Sequence, residues 1–225
     1  MPTVKRPFLR MVVIGVATLL LAPALICSAR PMSLDGTWRF GLDPNDSGER
    51  QQWFTQRLPS SIKLPGILQN TFNGLPITTG TPWVLSLYDR YWYLRDDYKD
   101  YVDPGRVKVP FLSQPPRHYL GVAWYQRDIE IFQYQAARRL VLSLEPPHWE
   151  TTVWVDGKKI GSERSLVAPH VYDLGNLTPG RHQLTIKVDN RIIMPYRPDA
   201  HSISDSVGAS WNGIVGRVGL NDTGR

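Results

Sequence analysis

The sequence predicts an all-β fold, an antiparallel β-sandwich, from three observations. Turn-forming residues are frequent and evenly spread, with 18 Gly and 19 Pro among 225 residues, a density that favours short strands over a helical bundle. Several runs alternate apolar and polar residues with the period of a half-buried strand. The hydrophobic fraction of 42% and the charged fraction of 20% allow a packed core and exclude a disordered tail or a coiled coil.

The clearest strands lie in the second half of the chain. Leu184, Ile186 and Val188 alternate with polar residues, so we expect these three side chains in the core. The same pattern predicts that Lys187 lies on the exposed face of that strand. Leucines alternate in the same way over residues 140–144, which predicts a second half-buried strand.

A third strand is expected over residues 123–132, and turn signals separate these strands. Arg127 falls on the apolar face of the third strand, so it needs a buried partner or a strand end that leads to water. Asp156-Gly157 is a strong hairpin signal. Pro146-Pro147 and Pro179-Gly180 mark two further breaks between strands.

Residues 72–114 predict a long, aromatic-rich surface excursion with a short helix near residues 88–99. All eight tryptophans follow residue 29. Two of them, Trp38 and Trp154, alternate within strands and are expected to be structural. Three others lie in loop-like surroundings, where they either form a platform for sugar rings or pack the excursion onto the sandwich; these are Trp83, Trp92 and Trp211.

Residues 1–29 have the order of a secretory signal peptide, which leaves residues 30–225 as one domain. Three basic residues precede an apolar run over residues 11–26, and small residues then predict cleavage before Arg30. The alternatives are a transmembrane anchor, for which the run is short, and a lipoprotein site at Cys27. The protein is expected to be exported to the periplasm or the extracellular space, and to have no membrane contact after cleavage.

Cleavage changes the charge and removes the only cysteine. Cleavage removes the three cations Lys5, Arg6 and Arg10 and no acidic residue, so the formal net charge falls from +6 to +3. Without a cysteine, disulfides cannot contribute to stability. A charge of +3 without a basic run also argues against a nucleic-acid partner.

Catalytic and metal-binding motifs are not apparent in the sequence. It has no nucleophile elbow, zinc-protease motif, P-loop or dinucleotide fingerprint. Its five histidines are scattered without metal-ligand spacing, so we expect no metal and no cofactor. Glu145 and Glu150 flank a Pro-Pro-His-Trp run and are interpreted as strand-end residues, not as an acid and a base.

Six segments, in order, resemble the N-terminal sugar-binding domain of glycoside hydrolase family 2, which contains β-galactosidases, β-glucuronidases and β-mannosidases. They extend over about residues 33–220. The segments are Ser33-Leu34-Asp35-Gly36-Thr37-Trp38-Arg39-Phe40, Leu64-Pro65-Gly66, Gly121-Val122-Ala123-Trp124-Tyr125-Gln126-Arg127, Trp154-Val155-Asp156-Gly157-Lys158-Lys159-Ile160-Gly161, Pro179-Gly180 with the strand that ends in Val188-Asp189-Asn190, and Trp211-Asn212-Gly213-Ile214-Val215-Gly216-Arg217-Val218.

The resemblance implies a jelly-roll sandwich of the galactose-binding type. In the family, an immunoglobulin-like domain and a (β/α)₈ barrel follow this domain, and the barrel carries both catalytic glutamates. A barrel needs about 200 residues or more, for which a chain of 225 residues that contains the sandwich has no room. We therefore expect no catalytic residue here, and no hydrolysis by this chain alone.

The resemblance also implies which residues approach a sugar. In the family, the loops before the Trp-Tyr-x-Arg strand and before the closing strand reach the mouth of the barrel. The corresponding candidates for binding a carbohydrate of the β-glycoside class, weakly, are Arg117, His118, Asp205, Trp211 and Asn212. Residues 207–210 are small and weakly polar where relatives tend to place amides or acids, which argues against a direct sugar contact there.

Three functions follow from these expectations. The first is a domain of an exported family 2 glycoside hydrolase, here without its barrel. The second is a stand-alone carbohydrate-binding module. The third is a sandwich that mediates contact with other chains.

Overall fold

The structure is a computed structural model that describes residues 32–86, 89–110, 114–192 and 210–223. The predicted signal peptide and the candidate Asp205 lie outside these residues. The strands are β1 (Met32–Ser33), β2 (Gly36–Asp43), β3 (Ser60–Leu64), β4 (Gly66–Ile67), β5 (Val122–Ile131), β6 (Arg139–Leu144), β7 (Pro147–His148), β8 (Glu150–Val155), β9 (Lys158–Arg164), β10 (His170–Gly175), β11 (Gly180–Asp189), β12 (Gly213–Ile214) and β13 (Val218–Thr223).

Two antiparallel sheets form the sandwich, which confirms the predicted all-β class. The larger sheet has the order β3-β2-β5-β11-β8-β9, and the smaller has the order β1-β13-β6-β10. A third sheet, β4-β12-β7, is much shorter. Two of the predicted strands, β6 and β11, supply fully buried residues to one core; these are Leu140, Leu142, Leu144, Leu184, Ile186 and Val188.

The hairpin between β8 and β9 is confirmed. Asp156 and Gly157 have φ angles of 49° and 78°, as a tight hairpin turn requires at both central positions. β11 begins at the predicted Pro179-Gly180 turn. Arg127 avoids an unpaired buried charge because its Nη1 donates to the carbonyls of Leu34 (2.6 Å) and Asp35 (2.9 Å).

The predicted exposure of Lys187 is wrong, because β11 is buried on both faces. Lys187 is only 9% exposed, and Thr185 on the same face is fully buried. A second apolar layer covers this outer face of the larger sheet. It contains Trp53, Phe54, Leu58, Val122, Trp124 and Trp154. The layer confirms that Trp154 is structural, and Trp38 is fully buried in the main core.

The excursion between β4 and β5 packs around a small core of its own. Trp83 and Trp92 are 0% and 3% exposed, so they pack this segment and are not part of a sugar platform. In place of the helix expected near residues 88–99, the chain forms two 3₁₀ segments, Trp92–Leu94 and Asp96–Tyr101.

Helices are short throughout the described part of the chain. One α-helix, α1, covers Gln133–Ala136, and other 3₁₀ segments cover Trp53–Thr55, Leu68–Thr71 and Pro82–Ser86. Within the described ranges, none of the helices has the length and apolar character that a membrane crossing requires.

Candidate functional site

The loops before β5 and before β12 meet at one edge of the sandwich, which we call the loop edge (residues 68–75, 117–121, 148–149, 190–191 and 210–212). Gln69, fully buried in the turn after β4, joins the two loops. Its Nε2 donates to the carbonyls of Tyr119 and Ser210, both at 3.3 Å. Its Oε1 accepts from the backbone N–H of Asn212 at 3.2 Å. The two loops that the resemblance singled out are therefore neighbours.

Asn212 is a buried junction at the loop edge. Its side chain is fully buried, and its Nδ2 donates to the carbonyls of Gly121 (3.0 Å) and Val188 (3.1 Å). Its Oδ1 accepts from the hydroxyl of Tyr125 at 2.9 Å. Asn212 therefore holds the edge together and, unlike the other described candidates, presents no surface to a ligand.

Asn190 fixes the end of β11 to the same edge. It is also fully buried, and its Oδ1 accepts from the N–H of Gly121 at 2.8 Å. Its Nδ2 donates to the carbonyl of Tyr119 (2.9 Å) and the hydroxyl of Ser210 (3.1 Å). The sequence analysis assigned no role to Asn190. The signal that could have indicated its structural role is the Asp189-Asn190 pair at the end of the strand, which is part of the family resemblance.

Trp211 supplies an aromatic face to the loop edge. It is half-buried, and its ring stacks on the imidazole of His148 with a centroid distance of 4.1 Å and an interplanar angle of 15°. The indole of Trp149 meets the imidazole of His148 edge-on, with a centroid distance of 4.7 Å. The aromatic surface at Trp211 therefore includes the ring of His148, which the sequence analysis did not select as a candidate.

The imidazole of His148 is held in one orientation. Its Nδ1 lies 2.6 Å from the carbonyl oxygen of Trp211, and because a carbonyl only accepts, this nitrogen is the donor. Burial lowers the pKa of His148, against the opposing effect of this hydrogen bond. Burial thus favours the neutral ring, in which Nε2 is the acceptor.

Arg117 and His118 lie at the other side of the loop edge, beside exposed apolar side chains. The guanidinium of Arg117 lies 5.8 Å from the centre of the Phe72 ring, within the range of a cation–π interaction. The backbone of His118 pairs with Leu75 through two hydrogen bonds of 2.8 and 2.9 Å. Phe72 and Leu75 are 69% and 66% exposed, and sequence reasoning missed both.

Arg117 is the cation at this edge with the least compensation. It forms no ion pair within the described part of the chain, and its buried Nε has no hydrogen-bond partner there. Arg191, near Trp149, is instead neutralised by Asp46 and Asp189, each at 2.6 Å. An uncompensated guanidinium beside aromatic faces can bind a hydroxyl or a carboxylate.

The acids that bracket the Pro-Pro-His-Trp run are strand-end residues, as interpreted from the sequence. Glu145 follows the last residue of β6 and lies 3.2 Å from the guanidinium of Arg217. Glu150 is the first residue of β8 and pairs with Arg164. Among the described residues, no group of three or more His, Cys, Asp or Glu side chains could hold a metal ion.

Comparison with known proteins points to β-glucuronidases. No family model matches the chain. It is 23% identical over 159 residues to a β-glucuronidase from Paenibacillus borealis, a match that covers 70% of this chain and 20% of that protein. The β-glucuronidase of an uncultured Clostridium sp. superposes with a TM-score of 0.58 at 18% identity, over 87% of this chain and 29% of that one.

A β-glucuronidase from Ruminococcus gnavus in complex with D-glucuronic acid gives a TM-score of 0.57 at 17% identity, over 85% of this chain and 29% of that one. The chain shares its fold with part of these enzymes. It spans about a fifth of the length of the curated relative and less than a third of the length of the solved structures. This likeness agrees with the sandwich that the sequence predicts.

Proposed function

We propose that this chain is the sugar-binding domain of an exported glycoside hydrolase of family 2, of the β-glucuronidase type. One observation carries the proposal. The likeness to a β-glucuronidase covers 87% of this chain, whereas the same match covers only 29% of the length of that enzyme. The six ordered segments that resemble the N-terminal domain of the family support it independently. The remaining parts of such an enzyme would carry the catalytic barrel.

In this proposal, the loop edge forms one wall of a sugar subsite. The half-buried indole of Trp211 can stack on the C–H face of a pyranose. Arg117 and His118 can bind hydroxyl or carboxylate oxygens of the same sugar. Gln69, Asn190 and Asn212 hold the two loops at a fixed separation, so that these groups need not be ordered when the sugar binds.

The catalytic step is assigned to another domain because cations lower the pKa of the described carboxyls whose pKa is changed. Retaining hydrolysis needs two carboxyls about 5 Å apart, one of which is kept protonated by a raised pKa. Hydrogen bonds from Arg39 and Arg181 instead lower the pKa of Asp128 despite its partial burial. Burial raises the pKa of Glu49, but Lys187 and Lys159 outweigh burial and lower it overall.

An NMR titration with methyl β-D-glucuronide tests the proposed sugar contact. We expect shifts of the indole and amide signals of Trp211, with a dissociation constant on the order of millimolar because one wall of the subsite is missing. Trp211→Ala should remove the binding. Phe132→Ala, at an exposed aromatic residue away from the loop edge, is the matched control.

Two outcomes would contradict the proposed contact. Binding that survives Trp211→Ala would place the sugar elsewhere, and the absence of any shift would favour a sandwich that mediates protein contacts. Export is a separate part of the proposal, and N-terminal sequencing of secreted protein should give Arg30 or a residue within one or two of it. A retained hydrophobic N-terminus in the membrane fraction would contradict export.

A further inference from the structure

We propose a second binding site, on the outer face of the larger sheet, for the carboxylate or sulfate group of an acidic glycan. The site is a pocket of about 610 Å³ between β2, β3, β5 and the chain that enters β3. Its lining includes Arg39, Arg57, Ser60, Ser61, Gln126 and Asp128. The aromatic layer that covers the rest of this face stops at Leu58.

Cations outnumber acids on this part of the face. Lys63 lies opposite Thr37 in the ladder between β2 and β3, and it projects to the same side as Ser61 because Ile62 and Leu64 are buried in the core. The acids are Asp128 and the exposed Glu130. The cations are Arg39, Arg57, Lys63 and Arg181.

Asp128 organises two of these cations. Nη1 and Nη2 of Arg39 donate to its two carboxylate oxygens at 2.8 and 2.7 Å, and Arg181 also donates to it. Nε of Arg39 donates to Gln126 at 2.8 Å. A guanidinium has five N–H groups, so Arg39 is fixed by three and retains two for a ligand.

Arg57 lines the same pocket and has no counterion among the described residues. Gln126 is fully buried, and its Nε2 donates to the carbonyl of Gln56 at 2.8 Å. Its Oε1 accepts from the N–H of Leu58 at 3.4 Å. Both chain neighbours of Arg57 are thus anchored to the pocket floor, whereas its exposed guanidinium forms no hydrogen bond or ion pair in the described part of the chain. The backbone on both sides of Arg57 is therefore anchored at the pocket, and its guanidinium is available to bind an anion.

The lining favours a sugar acid over a polymeric nucleic acid. The volume falls within the range of about 300 to 1,000 Å³ typical of small-ligand pockets. Hydroxyls of Thr37, Ser60 and Ser61 surround the cations, and Leu58 and Pro59 form an apolar wall. Hydroxyl groups and an apolar wall fit a hexose ring, whereas nucleic acid requires an extended basic track.

The lining of this pocket includes none of the residues proposed for the sugar contact at the loop edge, which are Arg117, His118 and Trp211. Gly121, at the loop edge, directly precedes β5, and Asp128, in the pocket, is the seventh of the ten residues of β5. The two residues are seven positions apart along extended chain, which corresponds to about 20 Å. The two sites can therefore be tested independently, and failure of one does not imply failure of the other.

Titration calorimetry with an oligogalacturonate and with dextran sulfate tests the site, with neutral dextran as the control ligand. We expect a dissociation constant on the order of 0.1 to 1 mM for at least one anionic ligand. Binding should weaken as the ionic strength is raised from about 50 to about 500 mM. Arg57→Ala should reduce the affinity by about threefold to tenfold, and Arg57→Ala combined with Lys63→Ala by more.

Arg50→Ala is the matched control because Arg50 is exposed on the same connection, has no ion pair in the described residues and does not line the pocket. It and Trp211→Ala should leave the affinity unchanged, and melting temperatures should show that all variants fold. Preference for the oligogalacturonate would assign a uronate, and preference for dextran sulfate would assign a sulfated sugar. Equal loss in Arg50→Ala and Arg57→Ala, or no binding beyond that of neutral dextran, would overturn the site.

Discussion

At the scale of single residues, the side-chain amide of Asn212 holds together the chain segments that meet at the loop edge. Its three side-chain hydrogen bonds reach Gly121, Val188 and Tyr125. All of these groups are shielded from water, so each would lose a partner without a replacement if the amide were removed. The resemblance placed Asn212 in the correct loop, but a motif does not reveal which side chains of a loop point inwards.

Asn212→Ala should reduce the free energy of unfolding by about 2 to 4 kcal/mol, since it removes three buried hydrogen bonds, including the one that the Tyr125 hydroxyl donates. Asn45→Ala, at an exposed loop position, should change it by less than about 0.5 kcal/mol. Urea unfolding of both variants measures the difference. A loss below about 1 kcal/mol for Asn212→Ala would show that water replaces the amide.

His182 should make stability depend on pH in the neutral range. Burial lowers the pKa of His182, but its hydrogen bonds to Asp156 (2.6 Å) and to the carbonyl of Thr178 (2.8 Å) outweigh burial and raise the pKa overall. Both ring nitrogens face acceptors, which only the protonated ring can satisfy. The stabilisation is therefore complete below the unfolded pKa of about 6.5 and is lost as the pH rises through the folded pKa.

Urea unfolding of the wild type and His182→Gln should thus differ more at pH 6 than at pH 8.5. His170→Gln should show the opposite trend, because burial lowers the pKa of His170 and its contribution is lost as the pH falls. A constant difference between the wild type and His182→Gln across this range would show that the ring is not protonated in the folded protein.

At the scale of elements, β11 shows what alternation can and cannot predict. The pattern identified its inward face, because the period of a strand is local information. It did not predict the buried outer face, because the cover comes from Trp53 and Phe54, which are distant in sequence. The charge of Lys187 is compensated there because Glu49, also distant, lies 2.9 Å from its Nζ.

Ile186→Ala should cost about 2 to 5 kcal/mol because the side chain is fully buried in the main core. Lys187→Ala should cost about 1 to 2 kcal/mol, since it removes the buried stem and leaves Glu49 with Lys159 as its remaining cation. Lys158→Ala, at an exposed position of β9, should change stability by less than about 0.5 kcal/mol. If the effects of Lys187→Ala and Lys158→Ala were equal, the outer face of β11 would be solvated.

At the scale of the whole molecule, the sequence predicted the fold class and the neighbourhood of the candidate site, but not its composition. Turn residues and alternation are local signals and were sufficient for the sandwich. The loop edge depends on contacts such as that between Gln69 and Ser210, which are 141 positions apart. No local pattern could therefore indicate that His148 would stack on Trp211, or that Phe72 would lie under Arg117.

The most direct test of the proposed function is a hydrolysis assay of the purified chain on aryl β-glucuronide, β-galactoside and β-mannoside. If the chain supplies a sugar-binding wall to a site whose carboxylates lie in another domain, no turnover should remain after purification. Glu145→Gln and Glu150→Gln should then be indistinguishable from the wild type. Turnover that persists through purification and disappears in either variant would contradict this account, because the sandwich would then carry its own catalytic acid.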